Sequence, residues 1–154
     1  MKIETINPTR PKRQHGVSAA EMLPFIIDGI MDCKGEHVIC MDLTNLDDAM
    51  ADYFVICHAN TPTQMRAIAD SVVEKLEKEK AAKPMHVEGL SSTEWILVDY
   101  FDVVVHVFQT EKRDLFQLEE LWADAAVTTE YAEDGTSKVL HYSQPVPESY
   151  KKKR

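Results

Sequence analysis

Three short runs of branched, apolar residues decide most of what this chain can fold into: His37 to Leu43 (HVICMDL), Asp52 to Cys57 (DYFVIC) and Val103 to Phe108 (VVVHVF). Each has the length of a β-strand and stops far short of the roughly 20 residues a membrane helix needs. The first two are apolar on both faces, which is the pattern of central strands covered from both sides. Between these runs stands the clearest helix start in the chain. Thr61, Pro62 and Gln64 combine an N-cap, a proline at the first helical position and a reciprocal glutamine two residues later. Met65, Ile68, Ala69, Val72, Val73 and Leu76 then recur at steps of three and four, while Glu74, Lys75, Glu77, Lys78 and Glu79 face water until Pro84 stops the run.

The remaining elements follow from weaker signals. Ser18 and Glu21 have capping-box spacing, so a helix is expected to about Cys33; Pro24 either kinks it or moves its start to about Leu23. Met85 to Glu88 reads as a short strand, and Trp95 to Asp99 pairs with Val103 to Phe108 as a hairpin with a tight or bulged connection. Leu115, Leu118, Leu121, Trp122 and Ala125 predict a final helix. The order implies an α/β (α+β) single domain, a mixed sheet of about five strands with flanking helices. Residues 1–16 read as a flexible basic arm and 17–128 as the domain. Residues 129–154 read as a mostly irregular tail, although Lys138 to Tyr142 (KVLHY) offers a short strand.

The arm has no apolar stretch ahead of a small-residue cleavage site, so a cytoplasmic protein is expected. Cys33, Cys40 and Cys57 are an odd, widely spaced set and read as buried free thiols. Formal net charge is −9, but residues 1–16 and the terminal KKKR are basic, so residues 17–150 hold 9 basic side chains against 25 acidic ones, a balance of −16. Such a body repels phosphate backbone and raises the encounter rate of basic proteins.

Catalytic patterns are weak. Five glycines supply neither of the usual phosphate-cradling loops. His86 and Glu88 share one strand face, but His58, His86 and His106 lie on separate strands and no ligand motif joins them. Cys57 and His58 are strand neighbours and point to opposite faces, which excludes a thiol and base pair. Asp42, Asp47, Asp48 and Asp52 surround a strand end, where acids form turns. No cofactor or metal is expected. By contrast, alternation puts Trp95, Leu97 and Asp99 on one face of their strand and Ile96, Val98 and Tyr100 on the other. One face thus mixes a large aromatic ring with a carboxylate, as interfaces do.

Several motifs occur in order: ADYFVI…Q-x-RAIAD from Ala51 to Asp70, VEG at Val87 to Gly89, W-x-L-x-DY-x-D-x-VVH-x-F from Trp95 to Phe108, and R-x-L-F-x-LE-x-LW from Arg113 to Trp122. Together they resemble the ribosomal silencing factor family, also called Iojap, over about residues 20 to 126. The resemblance implies a nucleotidyltransferase-like sheet without enzymatic activity. It also implies binding to large ribosomal subunit protein L-fourteen, a block to joining with the small subunit that represses translation under starvation, and a role in ribosome biogenesis. Carried over by position, the interface would hold Trp95, Asp99, Tyr100 and Asp102, with Glu88 beside them. His106 and Arg113 match too, with structural roles open. The basic ends would offer contacts to ribosomal RNA, and self-association of the free protein is left open. The chain departs from the family pattern at His58 and Ala59, where Ser-Gly is usual, and at Phe101, where a turn glycine is usual. The alternative is a metal-dependent enzyme of nucleotidyltransferase type, which needs a D-x-[DE] pair after a Gly-Ser signature. Residues 58–70 contain none.

Overall fold

The computed structural model describes residues 16–142. In chain order the elements are α1 (Ala19–Asp32), β1 (Glu36–Asp42), β2 (Tyr53–Ala59), α2 (Pro62–Lys80), β3 (His86–Glu88), β4 (Trp95–Asp99), β5 (Val103–Gln109), α3 (Thr110–Phe116), α4 (Leu118–Leu121), β6 (Val127–Tyr131) and β7 (Ser137–Tyr142). All seven strands form one mixed sheet in the order β3-β4-β5-β2-β1-β6-β7. Only β2 and β5 run parallel; every other pair is antiparallel.

The expected mixed sheet and flanking helices are present, with seven strands in place of about five. The two additional strands are β6 and β7, so residues 129–142 are strand and turn rather than irregular tail. The short strand offered at Lys138 to Tyr142 is β7; β6 is hidden in the sequence, because it holds two threonines and a glutamate (VTTEY) and lacks the apolar density of a central strand. The arm at 1–15 and the last residues, 143–154, lie outside the described residues.

Both predicted helix starts are real, and each carries a correction. The Ser18 and Glu21 capping box is closed in both directions, so α1 begins at Ala19 and Pro24 sits inside the helix on its exposed side. Thr61 caps α2 by accepting the Gln64 N–H at 3.1 Å. The Gln64 side chain does not return the bond. It donates to the carbonyls of Cys33 (3.1 Å) and Lys34 (3.0 Å), tying the end of α1 to the start of α2. The two helices pack closely: a Cβ on Gly29 would lie 3.1 Å from the Val72 Cα, and the Ser71 hydroxyl donates to the Gly29 carbonyl at 2.8 Å.

The sheet has two unequal faces. Against α1 and α2 it presents Val38, Cys40, Val55, Cys57, Ile96, Val98, Val103, Val105 and Val107, packed on Met22, Ile26, Ile30, Met65, Ile68, Val72 and Leu76. Each such buried aliphatic side chain contributes about 1.5–3 kcal/mol relative to exposure. The opposite face presents Ile39, Met41, Phe54, Ile56, Val104 and Phe108, covered by Leu43, Ala49, Ala51, Leu118 and Ala125. That cover is thin. The expected final helix is broken at Gln117, whose left-handed backbone (φ 49) separates α3 from the single turn of α4. Of the apolar stripe that predicted one core helix, Leu118 and Ala125 are buried, whereas Leu115 and Leu121 are 68% and 70% exposed.

Candidate docking face

Register decides which side chains meet on the thinly covered face. In β4 and the residue after it, Ile96, Val98 and Tyr100 are buried and Trp95, Leu97 and Asp99 are half-exposed, as the alternation predicts. Across the ladder Glu88 stands opposite Leu97 and His86 opposite Asp99. On the other side Phe108 stands opposite Trp95, His106 opposite Leu97 and Val104 opposite Asp99. Directly paired residues share a face, so Glu88, His86, Trp95, Leu97 and Asp99 lie on one side of the sheet at the β3–β4–β5 corner, with His106 buried beneath them.

The predicted residues separate here. Trp95, Asp99 and Glu88 are brought together. Tyr100 is not: it is fully buried among the helix-side residues, where desolvation raises its hydroxyl pKa. This is a correction, because Tyr100 follows Asp99 directly and strand alternation turns it to the far side. Asp102 lies in the hairpin turn. Its carbonyl accepts from the amides of Asp52 (2.8 Å) and Tyr53 (3.1 Å), locking the turn to the start of β2, while its side chain is half-exposed.

The turn itself is tight. Asp102 N–H donates to the Tyr100 carbonyl and Tyr100 N–H to the Val103 carbonyl, both at 2.8 Å, and Asp99 Oδ1 accepts from Phe101 N–H at 2.8 Å. Phe101 therefore sits at φ 72, where a residue with a side chain costs about 1–2 kcal/mol. It strains the turn and is at the same time half-exposed. His86 was not expected on the docking surface; its Nε2 lies 3.0 Å from Glu88 and its Nδ1 3.8 Å from Asp99.

Trp95 is the centre of a set of rings. Phe108 stacks on it at 4.9 Å and Phe116 from α3 packs at 5.0 Å. Its indole N–H donates to His106 Nδ1 at 3.0 Å. His106 is itself in edge contact with Phe54 at 4.6 Å, and Phe54 with Trp122 at 5.8 Å. Burial drops the His106 pKa to about 3, so the imidazole is neutral at any ordinary pH. Phe116 (40% exposed), Leu115 and Leu121 extend the apolar surface onto α3 and α4, and sequence reasoning missed all three as surface. The only signal was their position beside Gln117, and glutamine carries no breaker signature.

Arg113 fixes α3 in place. It is buried, with Nη1 donating to the His37 carbonyl (2.6 Å) and lying 3.0 Å from His58 Nδ1, and with Nε donating to Glu119 at 3.0 Å. Its role is structural. Because an arginine only donates, His58 must accept through Nδ1; desolvation, then the Arg113 charge, lower its pKa. Burial pushes the Cys57 thiol up to about 12, and His58 faces the other side of the sheet. Asp42 accepts from the Thr44 amide and hydroxyl at 2.9 and 2.6 Å, a turn role. Among the described residues no three His, Cys, Asp or Glu side chains are grouped to hold a metal, and no helix is long and apolar enough to cross a membrane.

The fold and this face define a small α+β domain whose sheet is closed by two long helices on one side and presents rings and carboxylates on the other. The sequence profile of the family described as "Ribosomal silencing factor during starvation" matches residues 17–153, and the chain belongs to this family. It is 36% identical over 109 residues to Ribosomal silencing factor RsfS of Halalkalibacterium halodurans, covering 71% of this chain and 92% of that protein. A crystal structure of protein CV0518 from Chromobacterium violaceum superposes with a TM-score of 0.65 at 28% identity, over 88% of this chain and all of that one. A mouse protein named "Mitochondrial assembly of ribosomal large subunit protein 1" is 28% identical over 86 residues, which is 54% of this chain and 38% of that protein.

Proposed function

We propose that this protein binds the large ribosomal subunit through its protein L-fourteen, using the face around Trp95, and that it represses translation in the cytoplasm by blocking joining with the small subunit. The observation that carries this reading is the make-up of the open face. Trp95, Leu97 and Phe116 give an apolar centre, and Glu88, Asp99 and Asp102 give an acidic rim on a strongly acidic body. A buried apolar centre with a polar rim is the usual anatomy of a protein interface, and the negative rim favours a basic partner such as a ribosomal protein. Membership of the family supports the silencing role, and the name of the mouse relative supports an added role in large-subunit assembly. Steric exclusion needs no chemistry, so no enzymatic turnover is part of this reading.

Sucrose-gradient co-sedimentation with separated subunits tests it. The wild-type chain is expected to travel with the large subunit and to lower the yield of joined ribosomes in proportion to occupancy. A Trp95→Ala, Glu88→Lys, Asp102→Lys variant is expected to remain at the top of the gradient. Tyr100 is left intact, because truncating it would empty the helix-side core. Comigration of this variant at the wild-type level would refute the assignment of the face.

A further inference from the structure

The Trp95 ring is held by more than packing. Stacking on Phe108 and contact with Phe116 constrain its plane, but neither distinguishes the two edges of the indole. The bond from Nε1–H to His106 Nδ1 does, at 3.0 Å. Tryptophan only donates, so Nδ1 must be the acceptor and the imidazole proton sits on Nε2. That Nε2 is buried and, among the described residues, has no hydrogen-bond partner, in a side chain only 3% exposed.

A buried donor without an acceptor destabilises a fold, and an apolar residue in this place would avoid the penalty. The neighbours across the ladder on both sides of His106, Leu97 and Ile56, are indeed apolar. Packing alone therefore does not account for a histidine here. What the histidine alone supplies, relative to a leucine, is an acceptor for Trp95.

We propose that His106 is a positioning residue for docking: it draws the indole N–H inward and fixes Trp95 as a carbon-only surface that takes an aliphatic side chain of the partner. The proposal rests on the reading of this face as the docking site. Nε1 is the only polar atom of the Trp95 side chain, and it is already used, so the ring offers the partner no donor. The surroundings agree, since Leu97 and Phe116 continue the same apolar surface.

The test compares His106→Leu, which lacks the acceptor, with His106→Asn, whose side-chain oxygen restores one. Both indole N–H resonances are followed in a proton–nitrogen spectrum, with Trp122→Phe used to assign them, together with urea midpoints and large-subunit affinity. His106→Leu is expected to unfold at the wild-type midpoint or above. Its Trp95 indole resonance is expected to move and to exchange with solvent about tenfold faster, and its affinity to fall about tenfold, the loss of roughly one hydrogen bond. His106→Asn is expected to recover most of both. An unmoved Trp95 resonance in His106→Leu would overturn the proposal, as would equal loss of midpoint and affinity in both variants. If Trp95→Ala weakens binding and His106→Leu does not, positioning fails and docking stands. If the wild-type chain binds neither subunit, docking fails and the indole resonance decides the positioning.

Discussion

Arg113→Met is the sharpest probe of how the docking face is held. The methionine keeps an apolar stem of similar length, so the loss reports mainly the guanidinium. Three contacts disappear. The His37 carbonyl and His58 Nδ1 each lose a charged donor, at 2.6 and 3.0 Å, which costs roughly 1–1.5 kcal/mol apiece where the acceptors are screened from water. Glu119 loses a partner at 3.0 Å from Nε and 2.9 Å from Nη2, but its side chain is 31% exposed, so that pair is discounted to about 0.5 kcal/mol. The sum is about 3 kcal/mol, or roughly 10 °C in melting temperature for a domain of this size. Urea denaturation of Arg113→Met, Glu119→Gln and the double variant separates these contributions. The expected coupling between the two sites is below about 1 kcal/mol, with most of the loss in Arg113→Met alone. Because α3 carries Phe116 onto Trp95, large-subunit affinity is expected to fall as well. A loss under 1 kcal/mol for Arg113→Met would refute the clamp.

Three further outcomes are expected. Gly89→Ala places a Cβ 2.0 Å from the Trp95 carbonyl oxygen at φ +89, so a loss of about 2 kcal/mol or more is expected in urea denaturation, with an unchanged midpoint as the contrary result. His58 and His106 both have pKa values below the ordinary 6.5, the second at about 3, so the unfolded chain takes up protons before the folded one. Their contribution to stability is full above about pH 6.5 and is lost as pH falls through the folded values; melting temperature against pH should therefore fall less steeply for His106→Leu than for wild type between pH 6.5 and 4. Cys40 and Cys57 are buried with thiols pushed up to about 12, so a disulfide reagent at pH 8 should modify Cys33 alone in the folded protein and all three cysteines after denaturation.

The helix side of this fold is legible in the sequence because its signals are redundant. Caps at Ser18 and Thr61, three- and four-residue apolar spacing and doubly apolar strands all point to the same layer of α1, α2 and sheet. The β6–β7 hairpin is not legible for the opposite reason. As a pair at the sheet margin, β6 and β7 need fewer apolar residues than a strand buried on both faces, so β7, which exposes Val139 and Leu140, gives only the faint strand signal of Lys138 to Tyr142, and β6 gives none. The Gln64 side chain shows a limit of another kind. Capping-box spacing fixes which groups are available, but a tertiary contact with the end of α1 wins the side chain over the local one.

On the docking side, strand alternation places Trp95, Leu97 and Asp99 correctly because period two is a property of the backbone and needs no partner to hold. The same rule, applied one residue further, removes Tyr100 from the surface. The stripe over α3 and α4 fails as a core signal for a deeper reason. An apolar residue that packs inside the fold and one that is saved for a partner satisfy the same hydrophobic spacing, and spacing cannot say which surface does the burying. Here the left-handed break at Gln117 turns Leu115 and Leu121 outward while Leu118 stays in. Phe116, next to Leu115 in the chain, packs on Trp95 on the face of the sheet that α1 and α2 leave open. A chain that had to bury this stripe by itself would continue one amphipathic helix across β5 and β2. Breaking that helix leaves apolar surface uncovered, and that surface is what the proposed docking would bury.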